Sequence, residues 1–311
     1  MVNSKALYQK FCQENQARIP IFAQPWYLDA VCIDGIWDVA ILEEKGEILA
    51  VLPYFLKQKW GFRYITMPLF TKYLGTYLAK DFNLTEQHDI LEKLITQLPK
   101  AQAFHQNFHP DITDWLPFYW ASYQQTTRYT YQLDLSDLDA VFNNINRNMR
   151  RNIKKAQTQL LVSLDGTPQD FYAINCLSFE RQGLKMPYSL EQFLKHDQAL
   201  AAHNARQIFF TKDESGKIHA AAYLIWDARN SYYHLSGDDP EWRHSGAGIL
   251  LVWEAIRYTK EKLNLNLFDF EGSMMQNVEA IRRQFGATQV PYFYIWKYQS
   301  TFLKWIQTLK G

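Results

Sequence analysis

The segment Ser236-Gly-Asp-Asp-Pro-Glu-Trp-Arg-His-Ser-Gly-Ala-Gly248 runs directly into Ile249–Lys262, whose apolar residues fall at helical spacing. A strand thus leads into a glycine-bearing loop, and the loop opens a helix. The first N–H groups of a helix have no intrahelical acceptor, and the helix dipole adds partial positive charge at that end. Gly246 and Gly248 remove the side chains that would hold an anion away from those donors, and Arg243 adds a formal charge. The chemistry on offer is the grip of a phosphate or pyrophosphate by Arg243, His244, Ser245, Gly246, Ala247 and Gly248. Glycine pairs are common, so the spacing equally suits a tight helix start that binds nothing.

Asp269 and Glu271 stand two apart at the end of a strand read over Leu265–Phe270, and alternation puts both carboxylates on one face. A carboxylate there can take the proton of an attacking amine if its pKa is raised. Glu271 is the candidate base, and Asp269 reads as structural. Capping of the next helix, or pairing with Arg282 or Arg283, is the competing reading for either. Tyr232 and His234 fall on one face of the strand Ser231–Leu235, with Tyr233 on the other. Tyr292 and Tyr294 share a face of the last strand, where they either touch an acceptor or pack the core. The dense basic run, Asn146-Arg-Asn-Met-Arg-Arg-Asn-Ile-Lys-Lys155, lines Arg147 and Arg151 along one side of a helix. Such a face holds phosphates of a substrate or a nucleic acid, or is simply solvated. No His/Cys cluster has zinc spacing, no Gly-x-Ser-x-Gly elbow occurs and no P-loop lysine follows the glycines. Metal-dependent hydrolysis, serine hydrolysis and NTPase chemistry lose support, and no metal is expected.

The 311 residues fit two domains. Hydrophobic residues at 47% supply a core, and 33 basic against 32 acidic residues leave a net charge of +1, so no global field recruits nucleic acid or an anionic membrane. Aromatics reach 16%, enough to line a cleft as well as a core. Cys12, Cys32 and Cys176 are scattered without a framework, which reads as buried thiols in a reducing compartment. The N-terminus lacks a signal-peptide core and no apolar run reaches the length of a membrane span. A cytoplasmic protein with no membrane insertion is expected.

Elements that would position these residues follow from periodicity. Ser4 opens a first helix, Trp26–Val31 forms a short one, and Trp37–Glu43 and Glu47–Leu56 are strands turned at Lys45-Gly46. A strand over Gly61–Met67, a helix from Asn83 to Leu98 and strands over Ala101–His105 and Arg128–Leu135 complete the first half. In the second half, helices over Phe171–Gln182 and Leu190–His203 precede strands Ala205–Lys212, Ile218–Trp226 and Ser231–Leu235. Then come the helix Ile249–Lys262, a strand, a helix over Val278–Phe285, the strand Val290–Lys297 and a last helix Phe302–Leu309. The matching order predicts one fold used twice.

Arg243-x-x-Gly246-x-Gly248 resembles the pyrophosphate loop with which GNAT-fold acyltransferases grip coenzyme A. Phe268-Asp-Phe-Glu-Gly272 followed by Ile281-Arg-Arg-Gln-Phe285-Gly286 resembles the end of FemABX and related acyltransferases. The similarity extends over Ala220–Trp226, Tyr232–Gly237 and Leu251–Tyr258, and so over most of the second half. It implies an α/β chain of tandem GNAT-like domains, each a mixed, mostly antiparallel sheet flanked by helices. Met1–Ser136 would be a degenerate domain on the acceptor side and Asp137–Gly311 the domain with the acyl-donor loop.

The implied activity is transfer of an acyl group from acetyl-CoA or another acyl-CoA to an amine. The strand carrying His234 would splay from its neighbour and present backbone N–H groups to the thioester oxygen, with His234 as base or acceptor contact. Arg282 occupies the place where FemABX proteins have Lys, and the Tyr that commonly protonates the leaving thiolate in GNAT enzymes is missing from it. With Glu271 and His234, Arg282 makes up the expected catalytic set. Arg147, Arg151, Tyr232 and Tyr292 are the expected substrate contacts. Aromatic walls with a basic rim suit a sugar-nucleotide, a glycopeptide or another cell-envelope precursor as the amine acceptor. The resemblance leaves two rivals: a FemABX-type aminoacyltransferase fed by charged tRNA, and a non-catalytic GNAT-fold binding module.

Overall fold

Helix α1 (Ser4–Glu14) begins at Asn3, whose side chain accepts from the Lys5 N–H. Ser4, expected to cap it, instead donates its hydroxyl to Asp38 at 2.5 Å. The computed structural model describes residues 3–272 and 274–299, so the helix expected over Phe302–Leu309 lies outside the described residues. The chain divides into one unit running to Arg128 and resumed from Pro291, and a second unit, Tyr129–Val290.

In the first unit α1 is followed by α2 (Pro25–Val31), β1 (Ile36–Glu44), β2 (Glu47–Lys59), β3 (Phe62–Thr66) and β4 (Tyr77–Leu78). Helix α3 (Leu84–Thr96), β5 (Ala103–Asn107) and α4 (Leu116–Trp120) come next. Asn83 and Glu86 close a reciprocal capping box at the start of α3, as the Asn-Leu-Thr-Glu spacing predicts. β1 and β2 pair antiparallel around the Lys45-Gly46 turn, β2 pairs antiparallel with β3, and β3 runs parallel to β5. Successive residues of β2 point to opposite cores. Val51 joins Tyr8, Phe11 and Trp37, while Leu52 joins Ile65, Leu94 and Phe104.

Strand β6 (Gln124–Asp134) leads into the second unit. It is followed by α5 (Leu138–Asn144), α6 (Arg147–Gln157), β7 (Leu161–Ser163), α7 (Pro168–Arg181), α8 (Leu190–Ala202), β8 (Arg206–Lys212), β9 (Ile218–Trp226) and β10 (Asn230–Asp238). A 3-10 turn over Pro240–Ser245 precedes α9 (Ala247–Glu261), β11 (Leu267–Asp269), α10 (Gln276–Gln284) and β12 (Thr288–Tyr298). Within this unit the strands run in the order β6-β11-β10-β9-β8-β7. Only the β10–β11 pair is parallel. The sheet is thus mixed and mostly antiparallel, with helices packed on it. The division lies upstream of the expected Ser136/Asp137 seam for two reasons. Gln132, Leu133 and Asp134 pair with β11, and Tyr131, Leu133 and Leu135 fill the second core. From Pro291 the chain is back in the first unit, where Tyr294–Tyr298 pairs with β5.

Two left-handed residues, Glu271 and Gly272, follow β11 with φ 56° and 60°. A Cβ on Gly272 would collide with the Tyr129 carbonyl oxygen and come within 2.7 Å of the Thr130 Cα. Backbone meets backbone there, and no flexible side chain can yield. Gly272→Ala is expected to lower stability by about 2–4 kcal/mol, read from urea unfolding midpoints at constant m.

Candidate active site

The parallel register of β10 and β11 ends at Tyr232 opposite Asp269, whereas β10 continues to Asp238. Past Tyr232 the two strands part, which opens the sheet at its middle. At this opening β10 carries a bulge: Tyr233 pairs with Leu224 and Leu235 with Tyr223, so His234 has no opposite number on β9. Tyr233 packs into the core that α9 covers, and the His234 ring lies 5.2 Å from that of His196 on α8. Neighbouring residues thus face opposite sides of the opening.

A cleft of about 420 Å³ runs along the α9 side. Ser236, Gly237 and Asp238 of β10, Arg243, Gly246–Ile249 and Val252 of the loop and helix, and Ile281 and Arg282 of α10 contribute to its walls. Gly246 stands at φ 78° and turns the chain into α9. The Ala247 N–H is met by the Ser245 hydroxyl at 3.3 Å. The Gly248 and Ile249 N–H groups have no partner among the described residues. A Cβ on Gly248 would meet nothing within 4 Å, so the space in front of these donors is open. Arg243 lies at the rim, its Nε donating to Asp238 at 2.6 Å, while Arg181 of α7 approaches the same carboxylate at 3.5 Å. Helix α6 passes behind the loop, its Asn152 carbonyl and Ala156 Cβ 3.5 Å from where a Gly246 Cβ would stand.

Arg282 reaches in from α10. Its guanidinium lies 4.9 Å from the Phe270 ring centroid and 5.4 Å from that of Tyr233, and its Nε is buried with no partner among the described residues. Desolvation lowers its pKa from the ordinary value, and the charges of Tyr233 and Glu271 oppose that shift. Burial pushes the Tyr233 phenol up to about 12.

Across β10, Glu271 Oε1 and His234 Nδ1 are 2.6 Å apart, with side chains 12% and 2% exposed. The carboxylate is the member of the pair that reaches solvent, and the enclosed imidazole orients it. Asp269 does not share its face, contrary to simple alternation. The strand ends at Asp269, and the left-handed Glu271 turns away. Buried Asp269 accepts from Thr130 Oγ1 at 2.5 Å, Gln132 Nε2 at 2.9 Å and the Glu271 N–H at 2.6 Å. It therefore fixes the turn that aims Glu271. Desolvation raises the Asp269 pKa to about 6 against these hydrogen bonds. A folded-state pKa above the unfolded one stabilises the protein at low pH, and the gain is lost as pH rises through about 6. Relative to Asp269→Asn, the wild type is expected to lose about 2 kcal/mol of unfolding free energy between pH 4 and pH 7, measured by urea titration.

The structure gathers Arg243, Gly246, Ala247, Gly248 and Arg282 on one cleft and joins Glu271 to His234. Ser245 is spent on capping, and His244 is exposed beside Trp242. Arg147 and Arg151 are exposed on α6 and do not line the cleft. Two expected substrate contacts are corrected. Tyr232 is fully buried with its hydroxyl donating to Asp227 at 3.0 Å, and Tyr292 is buried in the first unit against Tyr73. Sequence reasoning missed Ser178, Arg181 and His219, cleft residues brought in from α7 and β9 by pairings that leave no local signature.

Residues 143–276 match the acetyltransferase (GNAT) domain family. No curated protein matches the chain. Among solved structures, FemX superposes with a TM-score of 0.73 at 14% identity, covering 95% of this chain and 96% of its own. The chain has the fold of FemX, and its residues 143–276 match the GNAT domain. A tandem GNAT protein from the clavulanic acid biosynthesis pathway follows the same path with a TM-score of 0.57 at 9% identity, covering 94% of each chain. The C-terminal domain of a putative lysylphosphatidylglycerol synthetase from Agrobacterium fabrum has a TM-score of 0.59 at 10% identity, covering 98% of this chain and 95% of that one. At such identities the likeness is one of fold, shared across both units, and the GNAT domain match lies within residues 143–276.

Proposed function

We propose that this protein transfers an acyl group from an acyl-coenzyme A to an amine, with both substrates held at the opening between β10 and β11. The observation that carries this reading is the pair of N–H groups at Gly248 and Ile249, which have no partner among the described residues and lie on the cleft beside Arg243, with open space in front of Gly248. That cradle fits a pyrophosphate, and the buried, unpartnered Nε of Arg282 fits the anionic end of a departing thiolate. Glu271, oriented by His234, takes the proton of the attacking amine. Tyr233 is protonated at neutral pH, lines the cleft and can deliver a proton to the thiolate, which supplies the acid that the Arg282 position lacks. Backbone groups of β10 past Tyr232, where the pairing with β11 has ended, stabilise the oxyanion, and joint binding of the two substrates lowers the barrier further. The basic face of α6, behind the loop, suits outlying phosphates of the donor. The acceptor is proposed to be a sugar-nucleotide or a peptide-like cell-envelope precursor.

Calorimetric titration with acetyl-CoA tests the donor. Wild type should bind in the micromolar range, and Arg243→Ala about tenfold more weakly. The Arg147–Lys155 face gives the tRNA-dependent reading its one specific observation, since those cations are exposed beside the loop. Acetyl-CoA that fails to bind, together with charged tRNA whose binding falls steeply with salt, would select that reading instead.

A further inference from the structure

The hairpin joining β2 to β3 projects beyond its neighbours. β1 starts at Ile36, opposite Leu56; β5 meets β3 at Tyr64 and Ile65, and Gln102 just before β5 donates its N–H to the Arg63 carbonyl at 2.8 Å and accepts from the Arg63 N–H at 2.7 Å. Lys57–Phe62 therefore stands out as a ribbon, with Arg63 at its base and Lys59 paired to Phe62 across a two-residue turn. That turn is Trp60-Gly61, both left-handed, with φ 50° and 80°. Asn, Asp or Gly suit the first position of such a turn, and a bulky aromatic is disfavoured there. Trp60 is moreover 87% exposed and Phe62 44%, so two large rings stand in water at the tip. Lys59 Nζ lies 4.7 Å from the Trp60 ring centroid, Lys57 and Arg63 flank the same hairpin, and Lys57–Arg63 holds no acidic residue. Neither fold stability nor core packing accounts for an indole in that place.

We propose that this ribbon docks the protein on an anionic lipid bilayer surface, with Trp60 and Phe62 seated at head-group depth and Lys57, Lys59 and Arg63 against lipid phosphates. Trp favours the boundary between water and acyl chains, where its ring is buried and its N–H stays hydrated. Each cation near an anionic leaflet adds its own attraction. The partner is a surface and not a nucleic acid, because the tip is a narrow two-stranded wedge with Trp60 foremost. The proposal concerns the first unit and stands whether or not the acyl-transfer reading holds.

Cosedimentation of the full chain with vesicles tests it, using phosphatidylcholine alone and phosphatidylcholine with about one-third phosphatidylglycerol. Binding to the anionic vesicles only, weakened by salt, is expected. Trp60→Asn places a residue that suits the turn, so folding should be intact by circular dichroism while partitioning falls about tenfold. Replacing Lys57, Lys59 and Arg63 together by Gln should lower it about a hundredfold. No binding by wild type, binding unaltered in both variants, or loss confined to an RNA-binding assay run alongside would each overturn the proposal.

Discussion

Gly248→Val should abolish coenzyme A binding while leaving the fold intact. The position is open, with nothing within 4 Å of a Cβ, so the protein itself accommodates the side chain at the cost of a little helix propensity. The isopropyl group would instead stand in front of the Gly248 and Ile249 N–H groups, which have no partner among the described residues. Losing two hydrogen bonds to a charged pyrophosphate costs about 3 kcal/mol or more, so affinity should fall at least about a hundredfold. Calorimetry on the variant, with unfolding midpoints as control, gives the answer. An affinity within about threefold of wild type would mean that the donor is held elsewhere.

Glu271→Gln carries the second large effect. The substitution keeps the shape and the hydrogen bond to His234 but removes the group that accepts the amine proton. Thiol release from acetyl-CoA in the presence of a productive amine should fall about 10²–10⁴-fold, with acetyl-CoA affinity unchanged. A His234→Ala variant should show a smaller fall, because His234 acts by orienting the carboxylate. A Glu271→Gln enzyme within about twofold of wild type would remove Glu271 from the mechanism.

The sequence exposed those elements whose signals are local. Asn83-Leu-Thr-Glu announced the capping box of α3, and Lys45-Gly46 the turn between β1 and β2. Arg243-x-x-Gly246-x-Gly248 likewise marked the start of α9, because a helix start needs only neighbouring residues to be recognised. Other features depended on pairing across the sheet. Alternation put Asp269 and Glu271 on one face, but it fails where a strand ends: β11 stops at Asp269, and the chain turns through left-handed Glu271 and Gly272, the latter tight against the Tyr129 carbonyl. The bulge at His234 arises from the register between β9 and β10, which no local pattern encodes. Tyr232 looked like a ligand contact because its partner Asp227, five residues earlier, becomes visible only once β10 and the preceding turn are folded. Arg181 joined the cleft for a similar reason. Gly237 lets α7 approach until the Asn175 backbone lies 2.6 Å from a would-be Cβ, which brings the end of that helix to Asp238.

The central claim is that the loop and helix start at Gly246–Ile249 hold the phosphates of an acyl donor at the opening between β10 and β11. Amide hydrogen exchange of the full chain, with and without saturating coenzyme A, tests it most directly. Slower exchange confined to β10 past Tyr232, the Gly246–Ile249 amides and the start of α10 is the predicted result. Unchanged exchange at Gly248 and Ile249 with protection elsewhere in the chain would contradict it.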